Sequence, residues 1–175
     1  RSGSVAFGGS GTQLMQRTIT FPRAFGQLPR VLASVRGENN ADTFACTVTN
    51  VTSTSFSINI LRVDTASGWS QNVRVDWMAF LPEALSQFKA TAVDHGIATL
   101  GTGTAAVKRV PVSFNRTFSA PPILLMTAHG EPYSDVFALT GTLLGTSGFT
   151  CTAKRVDAPA NGWGLNLRVH WLALL

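Results

Sequence analysis

Two stretches of the chain, "GWSQNVRVDW" at residues 68–77 and "GWGLNLRVHW" at residues 162–171, agree at six of ten positions. From the first stretch onward, Val73, Val75, Trp77 and Ala79 fall on one side of an extended chain, with Asn72, Arg74, Asp76 and Met78 on the other. A period of two is the pattern of a strand with one buried face. The agreement runs far upstream. At an offset of 93 residues, "ITFPRAF" (19–25) falls on "VSFNRTF" (112–118), pairing Phe21 with Phe114, Arg23 with Arg116 and Phe25 with Phe118. Pro29 meets Pro122, Gly37–Glu38 meets Gly130–Glu131, Asp42 meets Asp135, and "RVD" at 62–64 meets "RVD" at 155–157. One inserted residue then moves the offset to 94, where Trp69 aligns with Trp163 and Trp77 with Trp171. The chain is a duplication.

The repeat divides the chain into copy 1 (residues 1–82), a linker (83–92) and copy 2 (93–175). Pro82 closes the last strand of copy 1, because it has no N–H to give a ladder. Strands are expected in copy 1 near 4–8, 15–21, 30–36, 44–51, 55–62 and 72–80. Along the fifth, Phe56, Ile58 and Ile60 alternate with Ser57, Asn59 and Leu61. Six short strands punctuated by turn residues imply an all-β fold of two tandem six-stranded antiparallel β-sandwiches. A sandwich of this size buries only about 60–65% of its unfolded surface, so each copy calls for a neighbour.

Composition narrows the class. Of 175 residues, 45% are apolar and 13% charged, which is globular, and no apolar run is long enough to span a membrane. The formal charge is +5, but the arginines stand singly along strands with no basic run, so a nucleic-acid partner is not expected. Acidic polysaccharide remains compatible with that charge. Cys46 and Cys151 each alternate with inward-facing residues of different copies, which predicts two free, buried thiols rather than a disulfide. The first residues, "RSGSVAFGG", lack Met, as in a processed or truncated chain. The sequons at Asn50 and Asn115 give weak support for secretion.

The ordered elements Phe21/Phe25, Pro29, "TVTNVTSTSFSINI" and "VRVDWMAF" resemble the H-type lectin domain, the module of snail agglutinins and of the C-terminal part of discoidins. Phe114/Phe118, Pro122, "LTGTLLGTSGFTCTA" and "LRVHWLAL" repeat the resemblance in copy 2. It implies trimers with sugar sites where neighbouring subunits meet, and a preference for terminal N-acetylgalactosamine or galactose. The family's Gly-rich loop corresponds to Gly8, Gly9 and Ser10, and to Gly101, Thr102 and Gly103. Its sugar-binding Arg corresponds to Thr43 and Val136, and its Trp-His pair to Val63–Asp64 and Val156–Asp157. Those replacements leave the sugar specificity open.

The residues themselves offer other candidates. A sugar needs an apolar platform and hydrogen-bonding groups, best supplied by charged side chains. Arg62, Asp64 and Trp69 supply these in copy 1, and Arg155, Asp157 and Trp163 in copy 2; the same residues could equally form an ion pair fixing the loop over a packed indole. Asp42, Asn39, Ser10, Asp135 and Thr102 complete the candidate set. Glu38 with Asp42, and Glu131 with Asp135, are too few carboxylates for calcium, so no metal and no cofactor are expected. His95, His129 and His170 have no His counterparts in copy 1, and no catalytic constellation repeats, so the chain is not expected to be an enzyme. The expected function is a multivalent, non-enzymatic lectin for GalNAc/galactose-type glycans, a homotrimer of six modules, secreted or on a virion surface. The alternative is a trimerising structural or adhesion module such as a tail-fibre tip.

Overall fold

The computed structural model of the chain describes residues 1–37, 42–87, 90–130, 135–158 and 162–175. Copy 1 holds β1 (Ser2–Ser10), β2 (Leu14–Thr20), β3 (Arg30–Arg36), β4 (Phe44–Thr49), β5 (Ser55–Arg62) and β6 (Trp69–Phe80). A 3-10 helix, Pro82–Gln87, leads into copy 2, with β7 (Val93–Gly103), β8 (Val107–Ser113), β9 (Ile123–His129), β10 (Phe137–Thr142), β11 (Gly148–Arg155) and β12 (Trp163–Leu174). Each strand of copy 1 thus has its counterpart six places later.

The expected alternation is realised in β6, where Val73, Val75, Trp77 and Ala79 are all buried. In copy 1, β1-β6-β3 faces β2-β5-β4; in copy 2, β7-β12-β9 faces β8-β11-β10. The two interiors are separate and matched ring for ring. Phe21 meets Phe25 edge-on at 4.9 Å, as Phe114 meets Phe118 at 5.2 Å. Phe56 meets Trp77 edge-on at 5.3 Å, as Phe149 meets Trp171 at 5.9 Å. Such pairs add specific geometry to the apolar burial. The thiols are free as expected; burial pushes Cys46 up to about 12 and Cys151 up to about 11, leaving neither a ready nucleophile.

The picture of two self-contained antiparallel sandwiches needs one correction. β4 of copy 1 pairs with β9 of copy 2, and in parallel, so six strands run as one sheet, β2-β5-β4-β9-β12-β7, through both copies. The edges that meet are unlike, since β9 is the counterpart of β3, not of β4. Ala33 N–H donates to Thr127 Oγ1 (2.9 Å), Gly130 N–H to the Val48 carbonyl (3.0 Å) and Phe137 N–H to Thr47 Oγ1 (3.1 Å). Apolar seams flank this ladder: Leu32, Phe80 and Leu85 pack with Leu172, and Ala45 and Leu61 pack with Val136. Equivalent residues register the contact. Leu32 is 7% exposed under copy 2, whereas its counterpart Leu125 is 43% exposed.

Candidate functional site

The "GW" that opens both repeated stretches is explained by backbone geometry. Gly8 and Gly101 take positive φ (67° and 68°), a conformation that costs glycine little. At each, the strand shifts register and its carbonyl accepts a 2.6 Å bond from an indole, Trp69 Nε1 in copy 1 and Trp163 Nε1 in copy 2. Phe44 and Phe137 stand edge-on to these indoles. Trp69 is 3% and Trp163 2% exposed, so neither offers a ligand an open face. The expected platform role is thereby corrected: both are interior pillars.

Above each indole sits the same three-residue node. Arg62 spends Nε and Nη2 on Asp64 (3.1 and 2.9 Å), Nη2 also on Asp42 (2.6 Å), and Nη1 on the Gly68 carbonyl (2.7 Å). Arg155 does likewise with Asp157 (3.1 and 2.8 Å), Asp135 (2.9 Å) and the Gly162 carbonyl (2.7 Å). Asp64 also accepts from Thr43 N–H (2.9 Å), and Asp157 from Val136 N–H (2.8 Å). The geometry is that of the loop-fixing ion pair over a packed indole. Bonds from Arg62, reinforced by Thr43, hold the Asp64 carboxyl down at about 2. Asp135 moves the other way, pushed up by burial against the pull of Arg155.

The nodes differ in cover. Asp64 keeps 34% of its side chain exposed beside exposed Thr43 and Val63, whereas Asp157 keeps 17%, with Val136 fully buried against copy 1. Ser10 stands near this end of copy 1, its hydroxyl accepting from Thr12 N–H at 3.1 Å. Thr102 is exposed on β7, where its carbonyl accepts from Lys108 Nζ at 3.5 Å. Asn39, Glu38 and Glu131 lie outside the described residues. Among the described residues, no three His, Cys, Asp or Glu side chains are grouped to hold a metal ion.

Residues 16–80, β2 through β6 with the node and Trp69, match the H-type lectin domain. No curated protein and no solved structure matches the chain. The matched family, a lectin family, suggests carbohydrate binding. The lectin-domain match ends within copy 1, so copy 2 is tied to it by the internal repeat, the paired rings and the second node.

Sequence reasoning missed a second set of residues where the copies meet. Copy 1 carries an exposed Arg36–Asp76 ion pair (2.9 Å) on its outer face. The same two positions in copy 2 are His129 and His170, whose rings stack 3.6 Å apart at 17°. His129 Nε2 bonds the Val31 carbonyl of copy 1 at 2.7 Å, and burial lowers His129 to about 4 and His170 to about 2. A replaced ion pair, legible in the alignment, was the signal that this face is covered in one copy only.

Proposed function

We propose that the chain is a multivalent lectin for glycans ending in N-acetylgalactosamine or galactose, acting without catalysis. The observation that carries the reading is the H-type lectin domain at residues 16–80. Within it, the open node of copy 1 supplies what a neutral sugar requires: an ionised carboxylate at Asp64, hydroxyls at Ser10 and Thr43, and an apolar side chain at Val63. Asp64 accepts from vicinal hydroxyls, and Arg62 keeps it charged and oriented. The covered node of copy 2 offers less, so the copies contribute unequally.

Avidity makes weak sites useful, because linked sites raise effective concentration. The contact between unlike edges inside the chain, β4 against β9, is heterologous, and contacts of this kind close into rings where the rotation allows it. The expected assembly is a homotrimer presenting six modules, secreted or on a virion surface. Glycan-array binding, agglutination, and inhibition of both by free N-acetylgalactosamine test the function; a blank array with no agglutination overturns it. A native mass of three times 18.6 kDa tests the assembly.

A second reading, a trimerising structural or adhesion module such as a tail-fibre tip, draws support from the self-satisfied Arg62 and Arg155 and the two buried indoles. It requires the trimer and no sugar binding, so the same two measurements separate the readings.

A further inference from the structure

Where the copies dock, a cleft of about 300 Å³ opens between them, its walls drawn from both. Copy 1 contributes Gln27 and Arg30, and the linker Glu83; copy 2 contributes Asn166, Arg168 and His170. Neither copy forms it alone, and the chain holds no duplicate, because the counterparts of Arg30 and His170 are Ile123 and Asp76.

Its electrostatics are unbalanced. Arg30 is half-buried, and desolvation pulls its guanidinium down from the ordinary value against the attraction of Asp94. Its guanidinium bonds His95 Nδ1, a neutral acceptor. Asp94 is committed elsewhere, accepting from Asn115 N–H (2.6 Å), Asn115 Nδ2 (2.9 Å) and His95 N–H (2.8 Å). Neither Arg30 nor Arg168 takes part in an ion pair among the described residues. His170 Nδ1 is buried with no hydrogen-bond partner. A buried polar atom left unpaired, beside a guanidinium short of a counter-ion, is costly unless something binds there.

We propose that this inter-copy cleft is a binding site for one acidic monosaccharide unit, a uronate or similar carboxylate-bearing sugar. The carboxylate bridges the Arg30 and Arg168 guanidinium groups, whose planar forks suit it. The Gln27 and Asn166 amides meet ring hydroxyls, and His170 Nδ1 gains a partner. The exposed side chains of Leu28 and Ile97 at the lip give the sugar's C–H face an apolar wall. The volume accommodates a single ring. This site is separate from the Asp64 cluster and does not depend on the neutral-sugar reading.

The test is calorimetric titration of the intact 175-residue chain with D-glucuronate, and with D-glucose as its uncharged counterpart. Saturable glucuronate binding is expected, with glucose silent. Arg30→Gln and Arg168→Gln should each weaken it tenfold or more, while Asp64→Ala leaves it unchanged. Arg168 is exposed, so its variant keeps the fold even if Arg30→Gln loosens the junction. Absence of saturable glucuronate binding, full affinity in Arg168→Gln, or equal binding of glucose would overturn the proposal. Loss of N-acetylgalactosamine binding in Asp64→Ala, with glucuronate binding intact, would confirm two independent sites.

Discussion

His129 lies flat on His170, ring centroids 3.6 Å apart, in the two positions that copy 1 fills with the Arg36–Asp76 ion pair. The exchange follows from environment. On the open face of copy 1 a solvated ion pair costs little and contributes little. On the face of copy 2 that copy 1 covers, two full charges would have to leave water, whereas two neutral imidazoles stack and one bonds the Val31 carbonyl.

That choice makes the junction sensitive to acid. The unfolded chain protonates its histidines near pH 6.5, but the folded chain holds His129 neutral to about 4 and His170 to about 2. Stability is therefore complete above pH 6.5 and falls as the pH drops, by about 1.4 kcal/mol per unit for each histidine. Urea midpoints measured from pH 7 to pH 4.5 should decline. His170→Phe keeps a ring on His129 and should reduce the slope by one histidine's share. An unchanged slope would show that His170 is protonated in the fold.

The two nodes should respond unequally to loss of their arginine. Arg155→Ala strands Asp135 and Asp157 where copy 1 limits access to water, and should cost about 2 kcal/mol or more. Arg62→Ala leaves Asp64 one-third exposed and Asp42, though as buried as Asp135, still bonded by Gln71 Nε2 (2.8 Å), and should lower the melting temperature less. Paired thermal melts decide it; equal losses would mean that cover by copy 1 does not matter.

Much of the fold was legible because the duplication marks residues that two interiors both need. Trp77 and Trp171, Phe21 and Phe114, and the six-strand order all follow from pairing and alternation. The roles of Trp69 and Trp163 were not legible, since a Trp beside Arg and Asp in a loop suits a sugar platform as well as a pillar. What decides between them is a carbonyl from Gly8 or Gly101, more than sixty residues away. The junction was hidden for another reason. Asn59 and Thr47 look like solvent-facing strand positions, yet both are fully buried, and Thr47 is bonded by Phe137 N–H from copy 2. Arg30 and His170 come from different copies, so no local pattern joins them.

The first glycine of each "GW" is fixed by close approach. A Cβ on Gly68 would stand 2.0 Å from the Ser10 carbonyl oxygen, and one on Gly162 1.9 Å from that of Gly103. The obstacles are backbone, so no rotamer relieves them. Gly68→Ala and Gly162→Ala should each destabilise by about 3 kcal/mol or more, whereas Gly11→Ala, with nothing within 4 Å, should be near neutral. Chemical denaturation of the three variants makes the comparison; wild-type stability in Gly68→Ala would refute the packing described for the loop.

Asn59 offers a change in the opposite direction. It is fully buried on β5 opposite Thr47, and neither its Oδ1 nor its Nδ2 finds a partner. An unpaired buried amide costs about 1–3 kcal/mol, and an apolar side chain in its place removes that cost. Valine suits a strand position and is no larger than the amide it replaces. Asn59→Val should therefore raise the unfolding free energy by about 1 kcal/mol, read from urea denaturation at pH 7. The gain should persist in a Thr47→Val background, because Thr47 Oγ1 is already taken up by Phe137 N–H from copy 2 and does not serve Asn59. A loss of stability instead would mean that the amide is bonded through an ordered water, and that the junction between the copies is wet.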